Sequence, residues 1–166
     1  MGGPMGLSLV VAAIATALIV LLGLPLALLL ARSRFPGRDL LASLLALPMV
    51  LPPTVLGFGL LQLVGRRGPI GWALEHWLGV SVAFHPAGAV LAASVAAFPM
   101  FLLPARSALE GVDPGLEDVA RLLGRGELSV FFSVTLPIAW RGLLAGLLLA
   151  FTRALGDFGA TLMLAG

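Results

Sequence analysis

Three groups of residues have types and spacings with chemical potential. Arg153 and Asp157 are four apart inside an apolar run, so a helix would carry them on one face. Arg153 lies 12 residues beyond Arg141, about 18 Å deeper if the helix is continuous. Charges at that depth are costly and face a protein interior or an aqueous path. Two readings follow: a pair beside an aqueous path through the protein, or a structural ion pair locking spans together. The second group is Pro52, Pro53 and Thr54, which suggest either an unwound segment exposing backbone groups or a packing kink. The third is the adjacent pair Glu117 and Asp118, which diverge on a helix and suit a docking surface better than acid–base work. His76 and His85 are nine apart with no carboxylate cluster beside them, so no metal site is expected.

Other chemistry is excluded by what the sequence lacks. There is no Cys, hence no disulfide, thiolate metal site or cysteine nucleophile. Neither G-x-S-x-G nor H-E-x-x-H occurs, which argues against an intramembrane enzyme. No Gly-rich phosphate loop occurs either, so any ATP hydrolysis belongs to a partner, and no cofactor is expected. The ten Arg are scattered among apolar runs and the net charge is only +2, which gives no nucleic-acid footprint.

The elements that must position these residues are set by hydropathy. Of 166 residues, 60% are hydrophobic and 11% charged, with a mean hydropathy of +1.09, so lipid is the solvent. Apolar runs predict spans at about 7–31, 40–64, 87–105 and 136–157, each long enough to cross the roughly 30 Å hydrocarbon core. The first lacks a basic stretch before it, unlike a signal peptide. The second is interrupted by Pro48, Pro52 and Pro53, which implies neighbours that satisfy the freed backbone groups. Trp72, His76 and Trp77 suggest a short interfacial helix between the second and third runs. Gly142, Gly146, Ala150 and Ala154 recur every four residues, leaving a smooth face for a helix of this chain or of a second copy.

Arginine counting sets the orientation. Seven lie in the loops near 32–38 and 106–141 (Arg32, Arg34, Arg38, Arg106, Arg121, Arg125, Arg141), against Arg66 and Arg67 in the alternate loop. The positive-inside rule puts the loop at about 106–135 in the cytoplasm and, by parity, the N-terminus outside. Within that loop Asp113 and Pro114 read as N-cap and first helical residue, with Gly124 as the stop. A second short helix is predicted over 127–134, with Pro137 opening the next span. Two such amphipathic helices make either a docking surface or a solvated connection.

The stretch Asp118-Val119-Ala120, three residues, Gly124, nine residues, then Val134-Thr-Leu136-Pro137 resembles the EAA loop of ABC importer permeases. Asp118, Val119 and Val134 depart from the pattern conservatively, keeping charge sign and apolarity. Further stretches, among them Phe35-Pro-Gly-Arg38, Leu47-Pro-Met-Val-Leu-Pro-Pro53, Gly65-Arg-Arg-Gly68 and Arg153-Ala-Leu-Gly-Asp157-Phe-Gly-Ala160, are similar to the molybdate permease family, with sulfate and tungstate permeases as the alternative.

The resemblance implies an all-α membrane protein with a type I ABC importer permease fold. About four transmembrane helices are visible, with a cytoplasmic two-helix coupling loop. It implies ATPase coupling through Glu117, Asp118, Val119, Ala120, Gly124, Val134, Leu136 and Pro137, and a translocation path near Pro52, Pro53, Thr54, Arg153 and Asp157. Implied partners are ABC ATPase subunits, an extracytoplasmic molybdate-binding protein, a second permease copy and the lipid bilayer, with molybdate as substrate at the plasma membrane. Family members continue with at least one more span beyond the segment at Asp157, so the chain is expected to be incomplete at its C-terminus. A non-transporting small membrane protein or inactive fragment is the rival of another class.

Overall fold

The computed structural model describes residues 4–65, 68–78 and 86–156. Among these every regular element is helical: α1 (Pro4–Arg32), α2 (Arg38–Val50), α3 (Pro53–Val64), α4 (Pro69–Leu78), α5 (Pro86–Glu110), α6 (Pro114–Leu122), α7 (Glu127–Val130), a π-helical turn (Phe131–Thr135) and α8 (Leu136–Gly156). The all-α class predicted from hydropathy is what forms.

Helix α5 is the centre of the bundle, packed against α1, α8, α2 and α3, and α1 also touches α8. The buried residues at these contacts are mostly small: Ala12, Ala15 and Ala27 on α1, Ala93, Ala97 and Ala105 on α5, Ala150 and Ala154 on α8. Lipid tails are as apolar as leucine, so helix association in a membrane relies on close approach and dispersion contacts, which small residues permit. Many leucines accordingly point outward, Leu21, Leu22, Leu44 and Leu148 among them, while Leu30, Leu102 and Leu109 fill the core. The row at Gly142 and Gly146 is occupied by α5. A Cβ on Gly142 would lie 2.4 Å from Cβ of Ala108, and one on Gly146 would lie 3.0 Å from the Phe101 carbonyl oxygen.

Among the described residues three stretches are long and apolar enough to cross a membrane: Ser8–Arg32, Ala87–Glu110 and Glu127–Gly156. The span predicted at 40–64 is divided into α2 and α3 by a break at Leu51 and Pro52, and the bent pair counts as a fourth span only if taken together. Leu51 (φ −74, ψ 137) and Pro52 (φ −56, ψ 141) are extended at the break. Each precedes a proline, whose Cδ crowds the preceding residue out of the helical region, so the helix cannot run through both. Pro25, Pro48, Pro99 and Pro104 stay inside helices, single prolines being tolerated there.

Two predicted boundaries move. The third span continues past residue 105 to Glu110, because Arg106 Nε donates to Glu110 Oε1 at 2.9 Å across one further turn. The second short helix of the loop is not separate either, since α7, the π-helical turn and α8 run as one helix, Glu127–Gly156. Pro137 therefore sits inside that helix instead of opening it. Its ring lacks an N–H and crowds the Ser133 carbonyl, and the helix widens just before it so that Leu136 N–H donates to Phe131 O.

Long-range contacts gather one set of ends together. Arg32 at the end of α1 reaches Glu117, Arg38 at the start of α2 reaches Glu110 at the end of α5, and Arg106 reaches Asp39 at 3.6 Å. Both loops that were grouped by arginine counting thus lie at the same end of the bundle. Arg66 and Arg67 lie outside the described residues.

Candidate coupling surface and its buried carboxylate

Helix α6 forms where the sequence signals it. Asp113 is the N-cap, its Oδ1 accepting from Gly115 N–H at 2.8 Å, and Pro114 takes the first position, where no donor is lost. At the other end Gly124 adopts φ +80. Gly124 N–H donates to Arg121 O at 2.9 Å and Arg125 N–H to Ala120 O at 3.2 Å, the paired bonds of a Schellman stop. The chain then reverses through Gly126 into α7.

An ionic clamp fixes this reversal. Arg121 Nε donates to Glu127 Oε1 at 2.7 Å and its Nη1 to Asp118 Oδ1 at 2.7 Å. Hydrogen bonding by Glu127 first and Asp118 second raises the Arg121 pKa above its ordinary value, so the guanidinium stays charged at any physiological pH. All of these groups face solvent, where such pairs contribute little stability and mainly orient the loop.

The outer face of α6 is apolar and uncovered. Leu116, Val119 and Leu123 are exposed, and Leu122 is 86% exposed. Leu128 on α7 and Phe132 on the π-helical turn are also exposed, beside the cavity on the Glu117 side. An amphipathic helix whose apolar residues face outward needs a partner surface to cover them.

Glu117 is the correction. Adjacent to Asp118, it was expected on the docking surface; instead it is 5% exposed and faces the bundle. Its Oε1 accepts Arg32 Nη2 at 2.6 Å and Thr135 Oγ1 at 2.6 Å, and its Oε2 lies 3.8 Å from Arg121 Nη2. Arg32 Nη1 also donates to the Val112 carbonyl at 3.4 Å. A buried carboxylate without such partners would be strongly unfavourable, and these two cations and one hydroxyl are what allow it. A cavity of about 900 Å³ opens beside the cluster, lined by Leu24, Leu28, Arg32, Glu117, Phe131 and Thr135.

The other predicted residues are placed as follows. Asp118 and Val119 are exposed on α6, whereas Ala120 is buried beneath it. Val134 and Leu136 are half-buried and Pro137 is exposed, flanking buried Thr135. Pro52, Pro53 and Thr54 are exposed at the elbow between α2 and α3. Arg153 is half-buried on α8, and Asp157 lies outside the described residues. His76 stacks on Trp72 with ring centroids 5.2 Å apart, and His85 lies outside the described residues. Arg32 and Thr135 were missed as site residues, and their only sequence signals are an arginine ending an apolar run and a hydroxyl just before Leu-Pro.

A small-residue helical bundle whose long helices carry many outward-facing leucines defines a multi-pass membrane protein. The chain belongs to the family of binding-protein-dependent transport system inner membrane components, a match covering residues 20–166. It is 51% identical over 156 residues to the molybdenum transport system permease protein ModB of Escherichia coli strain K12, covering 94% of this chain and 68% of that protein. It is 47% identical to ModB of Haemophilus influenzae, covering 86% of this chain and 64% of the relative. A putative molybdenum transport system permease protein of Bacillus subtilis, YvgM, is 39% identical over 98% of this chain and 72% of its own length. The chain thus spans about two thirds of the length of these relatives.

Proposed function

We propose that this chain is the transmembrane subunit of an ABC importer that passes molybdate across the plasma membrane, driven by a partner ATPase. The observation that carries this reading is the 51% identity over 94% of the chain to a protein named as a molybdenum transport permease. No observation favours sulfate or tungstate over molybdate, or a non-transporting role.

Two copies enclose the path, an extracytoplasmic binding protein delivers the anion, and ABC ATPase subunits cover the apolar face of α6. The arginine-rich end is cytoplasmic and the N-terminus outside, supported by the convergence of Arg32, Arg38 and Arg106 at one end. Of the residues matching the EAA pattern, Asp118 and Val119 offer direct contact, being exposed. Gly124 supplies the turn, while Ala120, Val134, Leu136 and Pro137 support the helices behind it. The path runs near Pro52, Pro53 and Thr54, whose break leaves backbone outside the helical ladder, and near Arg153 and Asp157.

The drive is alternating access. Closure of the ATPase pair on ATP displaces α6, and the spans respond as rigid elements that exchange an inward-open arrangement for an outward-open one. After hydrolysis the return stroke carries the anion inward.

Affinity purification of the full-length subunit from its native membranes tests the reading. The expected result is an ABC ATPase retained by the wild type and released when Gly124 is replaced by a bulky residue. A subunit that retains no ATPase under any detergent condition contradicts it.

A further inference from the structure

Helix α6 has only nine residues, and a short turn flanks it on each side. Gly111 and Val112 precede its N-cap, and Gly124 to Gly126 follow it. A partner that grips the exposed face of such a helix could move it without moving the spans, unless something stiffer than the two turns joins them. The buried side of α6 supplies one such joint. A single oxygen, Glu117 Oε1, accepts a guanidinium from the end of α1 and a hydroxyl from the π-helical turn at the head of α8, both at 2.6 Å.

We infer that Glu117 is a positioning residue for transport: its carboxylate ties the coupling helix to α1 and α8, so that displacement of α6 moves both. This rests on the proposed reading of α6 as the ATPase contact and deepens it. Three features favour a mechanical joint over a docking contact. The side chain is turned away from the face a partner would cover. Its donors come from elements 85 and 18 residues away in sequence, so the cluster connects parts of the chain that local structure does not. The π-helical turn that carries Thr135 is an uncommon local geometry, and turns of this kind are frequent at functional sites.

The chemistry of the joint dictates the variant. Gln in place of Glu117 keeps a carbonyl oxygen that accepts from Thr135 but removes the charge that holds Arg32, so the link to α1 fails while that to the π-helical turn survives. Thr135→Val removes the hydroxyl with little change of shape and cuts the opposite leg.

The test uses the full-length subunit assembled with its ATPase and binding protein in proteoliposomes, reading molybdate moved per ATP hydrolysed and ATPase retained per permease. For E117Q the expected result is wild-type ATPase retention with molybdate per ATP lowered at least about fivefold, the scale of an ordinary coupling free energy. T135V should lower the same ratio by a smaller factor. The double variant R32Q/E117Q should match E117Q within about twofold, because the two residues form one interaction. Loss of the ATPase from the E117Q complex, or an unchanged ratio, overturns the inference and leaves the transporter reading standing. If the E117Q subunit cannot be recovered folded from the membrane at all, T135V decides by the same ratio, an unchanged value again overturning the joint. A wild-type complex that holds no ATPase and moves no molybdate overturns both.

Discussion

Leu122→Ala isolates the proposed docking contact from the fold. Leu122 is 86% exposed, so within this chain the substitution removes almost no buried contact and the thermal stability of the purified subunit should not change measurably. In the assembled transporter the side chain becomes a candidate for full burial. Each buried methylene is worth about 0.8 kcal/mol, so losing the three carbons beyond Cβ costs roughly 2 kcal/mol of binding. At about 1.4 kcal/mol per factor of ten, affinity for the ATPase should fall roughly 30-fold. The assay is titration of detergent-solubilised subunit with the ATPase that co-purifies with it, alongside a melting curve of each variant. Leu123, at 77% exposed, gives an independent repeat on the same surface. Unchanged affinity in both variants would refute the assignment of this face, whereas a lower melting temperature would show that the exposed leucines support the fold after all.

Four further outcomes follow from individual contacts. Gly124→Val should destabilise the subunit by about 1–2 kcal/mol through backbone strain alone, since φ is +80 and a Cβ there meets nothing within 4 Å, and Gly124→Asn should recover part of the loss in a thermal melt. Gly142→Ala should cost about 1–3 kcal/mol by pushing α8 off Ala108, and the second-site change Ala108→Gly should restore the melting temperature. A double-mutant cycle on Arg38 and Glu110 should return under about 1 kcal/mol, because both side chains are partly exposed. Arg153→Met should lower molybdate uptake while assembly with the ATPase stays normal, and unchanged uptake would remove Arg153 from the path.

What was legible in the sequence was whatever local rules decide. Hydropathy alone located the three long apolar helices, and Asp113, Pro114 and Gly124 fixed both ends of α6 through capping chemistry that acts within a few residues. The Pro52-Pro53 pair signalled a break, though its form, two extended residues joining separate helices, followed only from each residue's constraint by the next. The direction of Glu117 was not legible. Its spacing from Arg121 advertises a surface pair, while the partners that turn it inward are Arg32 and Thr135, brought near only by the packing of α1 and α8 on α5. The merging of the second loop helix into α8 was hidden for a related reason. Pro137 reads as a helix start by local rules, and only the widened turn before it lets the helix pass through.

The placement of charge follows one physical logic throughout. Among the described residues, ion pairs gather at the arginine-rich end, and the interior of the bundle is made of alanine, glycine and a few large apolar side chains. Charge in hydrocarbon is expensive, so an ionic joint belongs at the water-facing end, where a partner protein can act on it. The spans themselves can then move as packed units.

The central claim is most directly tested by uptake of labelled molybdate into proteoliposomes that hold the full-length subunit, its ATPase and its binding protein, with ATP supplied on the ATPase side. The account predicts uptake that requires ATP and the binding protein. Uptake that is absent in the complete assembly, or that proceeds equally without ATP, would contradict it.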